Sequence, residues 1–272
     1  MRHWTLEDVD WGAFEPSKVD PELLKIAKAA SMVEFNAGDY AAYLGEVFHD
    51  DPEFQAAAVQ WAAEETQHGK ALAKWSKLAD PDFNFEARFG EFAQTIALPT
   101  GIDASVRGTR TGELIARCIV EVGTSSYYTA VADASEEPVL RQICLNIAAD
   151  EVRHFALFRR TMAKYQADEK VNLVARIRVA LARLSETEDD ELAYAYYAAN
   201  HADDGPYDRE QHGGAYRRRA FGLYRHTHVR RMVSMMFKAV GLKPTGVLSR
   251  IITRFSYYMM RRRVRRLAAM GV

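Results

Sequence analysis

The sequence predicts an all-α protein: a four-helix bundle followed by additional C-terminal helices. Three observations favour this class. No segment alternates apolar and polar residues with the period of two that marks a strand. The long segments are rich in Ala, Leu, Glu and Arg, which are good helix formers. Proline is sparse, at eight of 272 residues, so few positions interrupt a helix.

The predicted helices divide the chain into four parts. A lead-in segment precedes Asp20 and Pro21, which are favourable N-cap and first-turn residues of a helix. The parts are residues 1–19 as the lead-in segment, 20–170 as the four-helix bundle, 171–208 as additional helices, and 209–272 as a basic C-terminal helical extension.

Four helices are expected in the bundle, at about residues 20–48, 52–78, 111–134 and 136–166. Residues 79–110 are expected to be loop, since they contain the breaker-rich stretch "ALPTGIDASVRGTRTG". Beyond the bundle we expect a helix over 170–186, a loop over 201–214, and two or more helices divided near "GLKPTG".

Two stretches of the bundle carry the same four-residue motif. "WAAEETQHG" contains Glu65 and His68, and "IAADEVRH" contains Glu151 and His154, so each reads Glu-x-x-His. Positions i and i+3 lie on one face of a helix. Each motif therefore directs a carboxylate and an imidazole to the same point, although a single such motif is common by chance.

Each motif follows an earlier glutamate at a matching distance. Glu34 precedes Glu65 by 31 positions, and Glu121 precedes Glu151 by 30. Two antiparallel helix pairs would produce this spacing. Glu121 lies among apolar neighbours, where an unpaired carboxylate would be costly. We predict that six side chains bind metal: Glu34, Glu65, His68, Glu121, Glu151 and His154. Glu46 is the rival to Glu34.

Four carboxylates and two imidazoles suit a pair of redox-active divalent cations, because bridging carboxylates offset the charge of two ions roughly 3.5–4 Å apart. This donor pattern is that of ferritin-like di-iron and di-manganese carboxylate proteins. We therefore expect a ferritin-like bundle that holds two Fe ions, with a mixed Mn/Fe pair left open.

Three neighbours of the ligands are candidates for the reaction itself. Thr124 lies three residues after Glu121 and faces the same cavity, where its hydroxyl could supply a proton. Asp150, like Glu64, directly precedes a ligand glutamate and could orient the imidazole of the opposite pair. Trp61 shares a helix face with Glu65.

For other neighbours two interpretations stay open. Trp61 and Tyr128 fit core packing as well as a role at the centre. Arg153 and Gln67 either extend the network around the imidazoles or are solvated. Three apolar residues after the histidines could line a substrate channel or belong to the ordinary core: Leu72, Phe155 and Phe158.

These stretches resemble the ligand stretches of the soluble acyl-carrier-protein desaturases, which are ferritin-like di-iron enzymes. The resemblance covers roughly residues 20–170 and includes Trp61, Asp150 and Thr124 at matching positions. It implies O2 activation at a di-iron centre and electrons from a ferredoxin-like donor. It also implies insertion of a cis double bond into a fatty-acyl chain carried on an acidic acyl carrier protein. The segment between Tyr128 and Cys144 is shorter than in the plant enzymes.

The predicted function is that of a di-iron, O2-dependent oxidase or oxygenase acting on an apolar acyl chain, most closely an acyl-carrier-protein desaturase. Hydroxylases, N-oxygenases, aldehyde-deformylating oxygenases and ferroxidases share the ligand pattern and stay open as alternatives. A rubrerythrin-like peroxidase is disfavoured, because Cys118 and Cys144 form no Cys-x-x-Cys pair. A ribonucleotide reductase small subunit fits the ligand contexts poorly.

Charge is divided unevenly along the chain. Residues 209–272 hold 16 basic residues against one acidic residue, a net charge of +15, and residues 1–208 hold 20 basic and 36 acidic residues, a net charge of -16. The stretch "RFSYYMMRRRVRRLAAM" is typical of an interfacial amphipathic helix. Its expected partner is an acidic acyl carrier protein, an anionic membrane or the acidic body of this protein, whereas nucleic acid is disfavoured because no recognition motif accompanies the charge.

The sequence shows neither a signal peptide nor an apolar run of about 18 residues. Two cysteines make no disulfide framework. We expect a cytoplasmic protein, with peripheral contact at the inner membrane surface as an alternative, and a homodimer as its assembly. Four histidines outside the repeat are expected at the surface or in the tail: His201, His212, His226 and His228.

Overall fold

The computed structural model describes residues 3–96, 104–186, 190–201 and 205–271. Within these ranges the regular elements are helices, which confirms the predicted all-α class. Three short 3-10 helices come first: Leu6–Asp8, Trp11–Ala13 and Pro16–Lys18. The α-helices are α1 (Pro21–Phe35), α2 (Ala37–Val47), α3 (Pro52–Ala79), α4 (Phe85–Thr95), α5 (Arg110–Ala134), α6 (Pro138–Glu169), α7 (Leu173–Glu186), α8 (Asp190–Asn200), α9 (Arg209–Gly222), α10 (His226–Val240) and α11 (Val247–Ala269).

Capping side chains fix where the bundle helices begin. The Asp20 carboxylate accepts a hydrogen bond from the backbone N–H of Glu22 at 2.7 Å, and the Asp51 carboxylate accepts one from Phe54 at 3.2 Å. A proline follows each of these caps, at the first helical position. In the bundle, α1 packs against α3, α5 packs against α6, and α3 contacts α6. The predicted four-part division of the chain stays a prediction.

The predicted single helix over residues 20–48 is wrong, because the chain breaks between α1 and α2 at Asn36. The backbone of Asn36 leaves helical geometry (φ -80°, ψ 9°), and its N–H still bonds to carbonyls of α1. The Asn36 side chain makes no capping hydrogen bond, so the backbone turn alone marks the break. Glu34 is consequently the second-last residue of α1.

Two predicted loops contain helices. Helix α4 lies within the predicted loop at 79–110, and its start is capped by the Asn84 side chain, which accepts from Ala87 N at 3.1 Å. Helix α9 begins at Arg209 within the predicted loop at 201–214, because Asp208 accepts from Gln211 N at 2.9 Å. The remainder of these two loops includes 97–103 and 202–204, which lie outside the described residues.

One glycine sets the distance between α1 and α3. A Cβ atom at Gly69 would lie 2.6 Å from Phe35 N and 2.7 Å from Ser31 O, both backbone atoms of α1. Real Cβ atoms do not approach backbone so closely, so only glycine permits this packing. Gly69 directly follows His68, and the close approach brings α1 to the ligand face of α3.

The basic extension folds onto the rest of the molecule. Helix α9 packs against α8, α10 against α5, and α11 against α9 and α10. His212 and His228 lie in this extension, as one of the two expectations had it, but they are buried within it, and His228 Nε2 lies 3.0 Å from Asp133 Oδ2. Among the described helices, none combines the length and apolar composition needed to cross a membrane.

Candidate metal centre

The six predicted metal ligands lie together inside the bundle, and all six are buried. Helix α1 carries Glu34, α3 carries Glu65 and His68, α5 carries Glu121, and α6 carries Glu151 and His154. Their donor atoms fall into two groups, each within 4.8 Å: Glu34, Glu65, His68 and Glu151, and Glu65, Glu121, Glu151 and His154. Glu65 and Glu151 belong to both groups, so they are the donors that two neighbouring cations would share.

The two imidazoles face the centre with the same nitrogen atom. His68 Nδ1 lies 2.9 Å from Glu65 Oε2 and 3.4 Å from Glu151 Oε1. His154 Nδ1 lies 3.1 Å from Glu65 Oε1 and 3.5 Å from Glu121 Oε2. Nδ1 is therefore the atom that each histidine would offer to a cation, and the near-symmetric arrangement follows the repeat in the sequence.

Four atoms that could bind a metal ion have no hydrogen-bond partner among the described residues. They are both carboxylate oxygens of Glu121, Oε1 of Glu151 and Nδ1 of His154. Buried carboxylates without partners cost several kcal/mol unless cations satisfy them. Four ionised carboxylates carry a charge that two divalent cations neutralise. Carboxylate oxygens and imidazole nitrogens are also ligands that divalent transition metals accept. The residues therefore fit a pair of such ions.

The charge of the cluster shifts the pKa values of its members. Burial, and then the neighbouring carboxylates, raise the pKa of Glu34 and of Glu121 well above the usual range. Burial alone would lower the pKa of His68 and His154, but the surrounding carboxylates raise it well above the usual range. Protons and metal ions compete for these atoms, so metal binding is expected to release protons.

A second set of carboxylates orients the imidazoles from outside. His68 Nε2 donates to Asp150 Oδ2 at 3.1 Å, and His154 Nε2 donates to Glu64 Oε2 at 2.9 Å. Each carboxylate belongs to the helix pair opposite the histidine that it holds. Arg153 contacts both, through Asp150 Oδ1 and through Glu64 Oε2 at 3.0 Å. Burial would raise the pKa of Glu64, but its hydrogen bonds, that from His154 foremost, lower it to about 2.

The lead-in segment also takes part in the centre, which no motif in the sequence predicted. The Trp4 indole donates to Asp150 Oδ2 at 2.8 Å, and its ring stacks on His68 with a centroid distance of 6.0 Å. Gln67 holds this segment, since its amide donates to Trp4 O at 2.9 Å. His3 Nδ1 lies 3.0 Å from Glu64 Oε1. A contact across 146 residues has no local sequence signal.

Two hydroxyl groups reach the ligands. Thr124 donates to Glu151 Oε2 at 2.7 Å, and Tyr128 donates to Glu34 Oε1 at 2.5 Å. Tyr128 therefore does more than pack in the core. Trp61 is buried and packs edge-on against Phe158, with ring centroids 5.5 Å apart, and its Nε1 bonds to no described residue. The structure shows no contact from Trp61 that orients a ligand.

A cavity of about 590 Å³ borders the ligand carboxylates. It follows one face of α5 from Glu113 through Arg117, Glu121 and Thr124 to Tyr128. Glu34, Glu65 and Glu151 line it from the other helices. Leu72, Phe155 and Phe158 are core residues and do not line it, so they form no part of this cavity's wall.

The two ends of the cavity differ in polarity. The charged end contains Tyr40, Tyr43, Arg107, Glu113, Arg117, Arg183, Glu186 and Glu191. There Arg107 pairs with Glu186, and the Tyr43 hydroxyl donates to Glu113 at 2.8 Å. The more apolar end contains Tyr127, Tyr216, Ala220, Phe221, Tyr224, Met232, Met236 and Met260, with Arg217 beside Tyr216. Burial raises the pKa of Tyr216 and Tyr224, which keeps these phenols neutral.

Comparison with known proteins agrees with this geometry. The family described as fatty acid desaturase has a model that matches residues 46–191, more than half of the chain. The matched segment contains Glu65, His68, Glu121, Glu151 and His154. No curated protein matches the chain. The chain therefore belongs to the fatty acid desaturase family, and it is an oxidoreductase whose buried carboxylates and histidines fit a pair of metal ions.

Proposed function

We propose that this protein is a di-iron enzyme that uses O2 to desaturate a fatty-acyl chain held in the cavity along α5. The observation that supports the proposal is the position of the cavity. Its wall includes four of the six predicted ligands, Glu34, Glu65, Glu121 and Glu151, and the whole cavity, at about 590 Å³, is large enough to take up part of a hydrocarbon chain. A protein that only handles iron has no need for such a pocket.

Desaturation balances with O2 and two electrons. Two neighbouring CH2 groups become CH=CH, and the two hydrogen atoms that they lose combine with O2, two electrons and two protons to give two molecules of water. A bound di-iron pair supplies the redox chemistry with O2. The electrons must come from a separate reductant, for which a ferredoxin-like protein is the predicted donor.

The protein's own residues supply position, protons and exclusion of water. Glu34, Glu65, His68, Glu121, Glu151 and His154 would hold the two ions, with Glu65 and Glu151 shared between the two groups of donor atoms. Thr124 is placed to move a proton, because its hydroxyl already donates to a ligand oxygen of Glu151. Tyr128 restrains Glu34 in the same way. The neutral aromatic and methionine residues of the apolar end keep water away from the acyl chain.

The finer expectations belong to this proposal. The resemblance of the ligand stretches supports an acyl carrier protein as the carrier of the chain. The alternatives with the same ligand set are hydroxylation, N-oxygenation and aldehyde deformylation. A homodimer, a cytoplasmic location and a mixed Mn/Fe pair likewise stay predictions.

The test is anaerobic loading of the full chain with ferrous ion, followed by a chemical reductant and O2. The acyl chain is offered as a free acid and as an acyl-carrier-protein thioester, and the products are identified by mass spectrometry. Loss of two hydrogen atoms supports the proposal. Gain of an oxygen atom would replace desaturation with hydroxylation. Oxidation of ferrous ion with every acyl chain unchanged would contradict the proposal and favour iron handling.

Alanine variants of the two glutamates that compete for the first ligand position, Glu34 and Glu46, provide a matched comparison. Glu34→Ala removes a ligand, so we expect loss of one metal ion per chain and of product. Glu46→Ala removes the rival glutamate on α2, so we expect two metal ions and unchanged product. Metal content is measured by elemental analysis on the loaded protein. If Glu46→Ala lost metal and product while Glu34→Ala kept both, Glu46 would be the ligand and the assignment of Glu34 would be wrong.

A further inference from the structure

The outer face of α11 is an exposed apolar stripe. Seven large apolar or aromatic residues of this helix are exposed, with Val247, Phe255 and Tyr258 each at least 60% accessible. At 100° per residue, all seven fall within an arc of about 140°. The stripe consists of Val247, Leu248, Ile251, Ile252, Phe255, Tyr258 and Met259. Scattered apolar residues are ordinary on a surface, but a continuous stripe of this kind marks an interaction site.

Arginines surround the stripe, and α11 has no acidic residue. Arg250, Arg254 and Arg261 lie along one edge, and four more follow at the C-terminal end: Arg262, Arg263, Arg265 and Arg266. The exposed Arg254, Arg262, Arg265 and Arg266 form no ion pair with any described residue. The helix therefore presents apolar surface and uncompensated positive charge together.

Contact with the acidic body of this protein is made elsewhere in the basic extension. Arg219 Nε lies 2.9 Å from Glu22 Oε2, and Arg218 lies 3.4 Å from the same carboxylate, so α9 provides these pairs. Helix α11 instead turns Ser249 and Thr253 inward and leaves its arginines outside. Self-association through this face is disfavoured, since a two-fold contact would bring seven arginines against seven.

We propose that the outer face of α11 lies on the surface of a bilayer that contains anionic lipids. A bilayer satisfies both halves of the face: the stripe enters the interfacial region, and the long arginine side chains extend to the phosphates. Phe255 and Tyr258 are residue types that favour this region. An acidic protein would satisfy the charge, but its charge offers nothing to the seven apolar side chains.

The inner face of α11 borders the cavity, which connects the position on the bilayer with the acyl substrate. This step of the inference rests on the proposed function. Met260, on the inner side of α11, lines the apolar end of the cavity together with Met232 and Met236 of α10. Tyr257 and Met260 also pack against the apolar cluster that contains Val229 and Val233. One helix therefore separates the lipid-facing surface from the cavity, so an acyl substrate drawn from the bilayer would meet the apolar end first.

The test is cosedimentation of the full chain with vesicles, made either of phosphatidylcholine alone or of phosphatidylcholine with phosphatidylglycerol. We expect strong binding to the second kind and weak binding to the first. Arg254→Gln with Arg262→Gln should weaken the binding roughly 30-fold, because each arginine near an anionic surface contributes about 5-fold. Binding should also weaken as salt rises.

A second pair of variants separates the apolar contribution from charge. Ile251→Glu with Phe255→Glu is expected to abolish vesicle binding, whereas Val174→Glu, at an exposed apolar position of α7, should remove much less. Phe255→Trp adds a reporter, whose emission brominated lipids should quench. Equal binding by all variants would overturn the proposal. Binding of an acidic carrier protein without vesicle binding would also overturn it. A dimer that dissociates in the Ile251→Glu, Phe255→Glu variant would overturn it as well.

Failure of this inference is distinguishable from failure of the proposed function. Metal content and turnover of a detergent-dispersed acyl substrate are measured on the same variants, and we expect both to stay unchanged. Vesicle binding without any acyl product would leave the lipid surface in place and contradict the desaturase. Acyl product without vesicle binding would support the desaturase and contradict the lipid-binding surface.

Discussion

At the scale of single residues, the centre depends on side chains that never touch a metal ion. Asp150 accepts from His68 and Trp4 and contacts Arg153, so one carboxylate holds three elements of the molecule together. Glu64 has the same role for His154 and Arg153. These two acids set the orientation in which each imidazole offers Nδ1.

Asp150→Asn is expected to weaken metal affinity by about 10- to 100-fold, because the amide keeps the shape but loses the charge that polarises His68. Competition with a chelator, using Co²⁺ as a coloured probe, measures the affinity. Asp39→Asn, at an exposed position of α2, is the control and should leave the affinity unchanged. Equal affinities for the two variants would show that Asp150 does not position His68.

Some residues of the centre can be predicted from patterns in the sequence, and others cannot. The i and i+3 spacing placed Glu65 with His68 and Glu151 with His154, because both members of each pair lie on one helix. The matching separations of 31 and 30 positions gave Glu34 and Glu121. Trp4 and the bond from Tyr128 to Glu34 depend on packing between distant segments, which no local pattern encodes.

At the scale of the elements, the close approach of α1 and α3 depends on Gly69. Gly69→Ala is expected to destabilise the fold by about 1–3 kcal/mol, since its Cβ would meet the backbone of α1 and force the helices apart. The shift would also displace Glu34 from its partners and lower metal affinity.

The control for this substitution is Gly45→Ala on α2, where a Cβ meets nothing within 4 Å. There the helix should gain up to about 1 kcal/mol, because alanine is the better helix former. Denaturant titrations of both variants measure the two changes. Two variants with the same stability as the unaltered protein would show that α1 and α3 can move apart without cost.

The junction of α3 and α6 makes stability depend on pH. Burial would raise the pKa of Asp51, but hydrogen bonds from Lys164 at 2.8 Å, Tyr165 at 2.7 Å and Phe54 N lower it. A lowered pKa in the folded state adds stability above the unfolded value of about 3.9, and that stability is lost as pH falls through the folded pKa.

Asp51→Asn keeps a good N-cap and removes the charge, so it should cost about 1 kcal/mol at neutral pH. The difference from the unaltered protein should shrink as pH falls below about 4, because Asp51 of the unfolded chain then binds a proton while folded Asp51 stays ionised until its lower pKa is reached. Denaturation curves recorded from pH 7 to pH 3 measure it. A difference that stays constant over this range would contradict the pKa direction.

The sequence predicted which segments are helical better than it predicted where a helix is broken or where a short helix lies within a loop. In the structure an acidic cap and a proline begin both α3 and α6, and both long helices have bounds near the expected ones. The break at Asn36 was missed because the apolar pattern continues through it. Helix α4 was missed because it is short and its neighbouring residues are typical of loops.

At the scale of the whole molecule, the cavity connects the bundle with the basic extension. Met236→Trp is expected to fill part of the apolar end and shorten the longest acyl chain that is converted, while shorter chains react as before. Mass spectrometry of a series of chain lengths gives the result. Met270→Trp, at an exposed position, should leave the series unchanged. An unchanged series for Met236→Trp would place the acyl chain elsewhere.

The break at Asn36 distinguishes one ligand from the other five. Glu34 is next to a helix end, whereas the rest lie well inside long helices whose backbones are held on both sides. Helix termini open more readily than helix interiors. Glu34 is thus the member of the cluster whose backbone can shift most readily, and it is the residue that would adapt its position to a bound pair of ions.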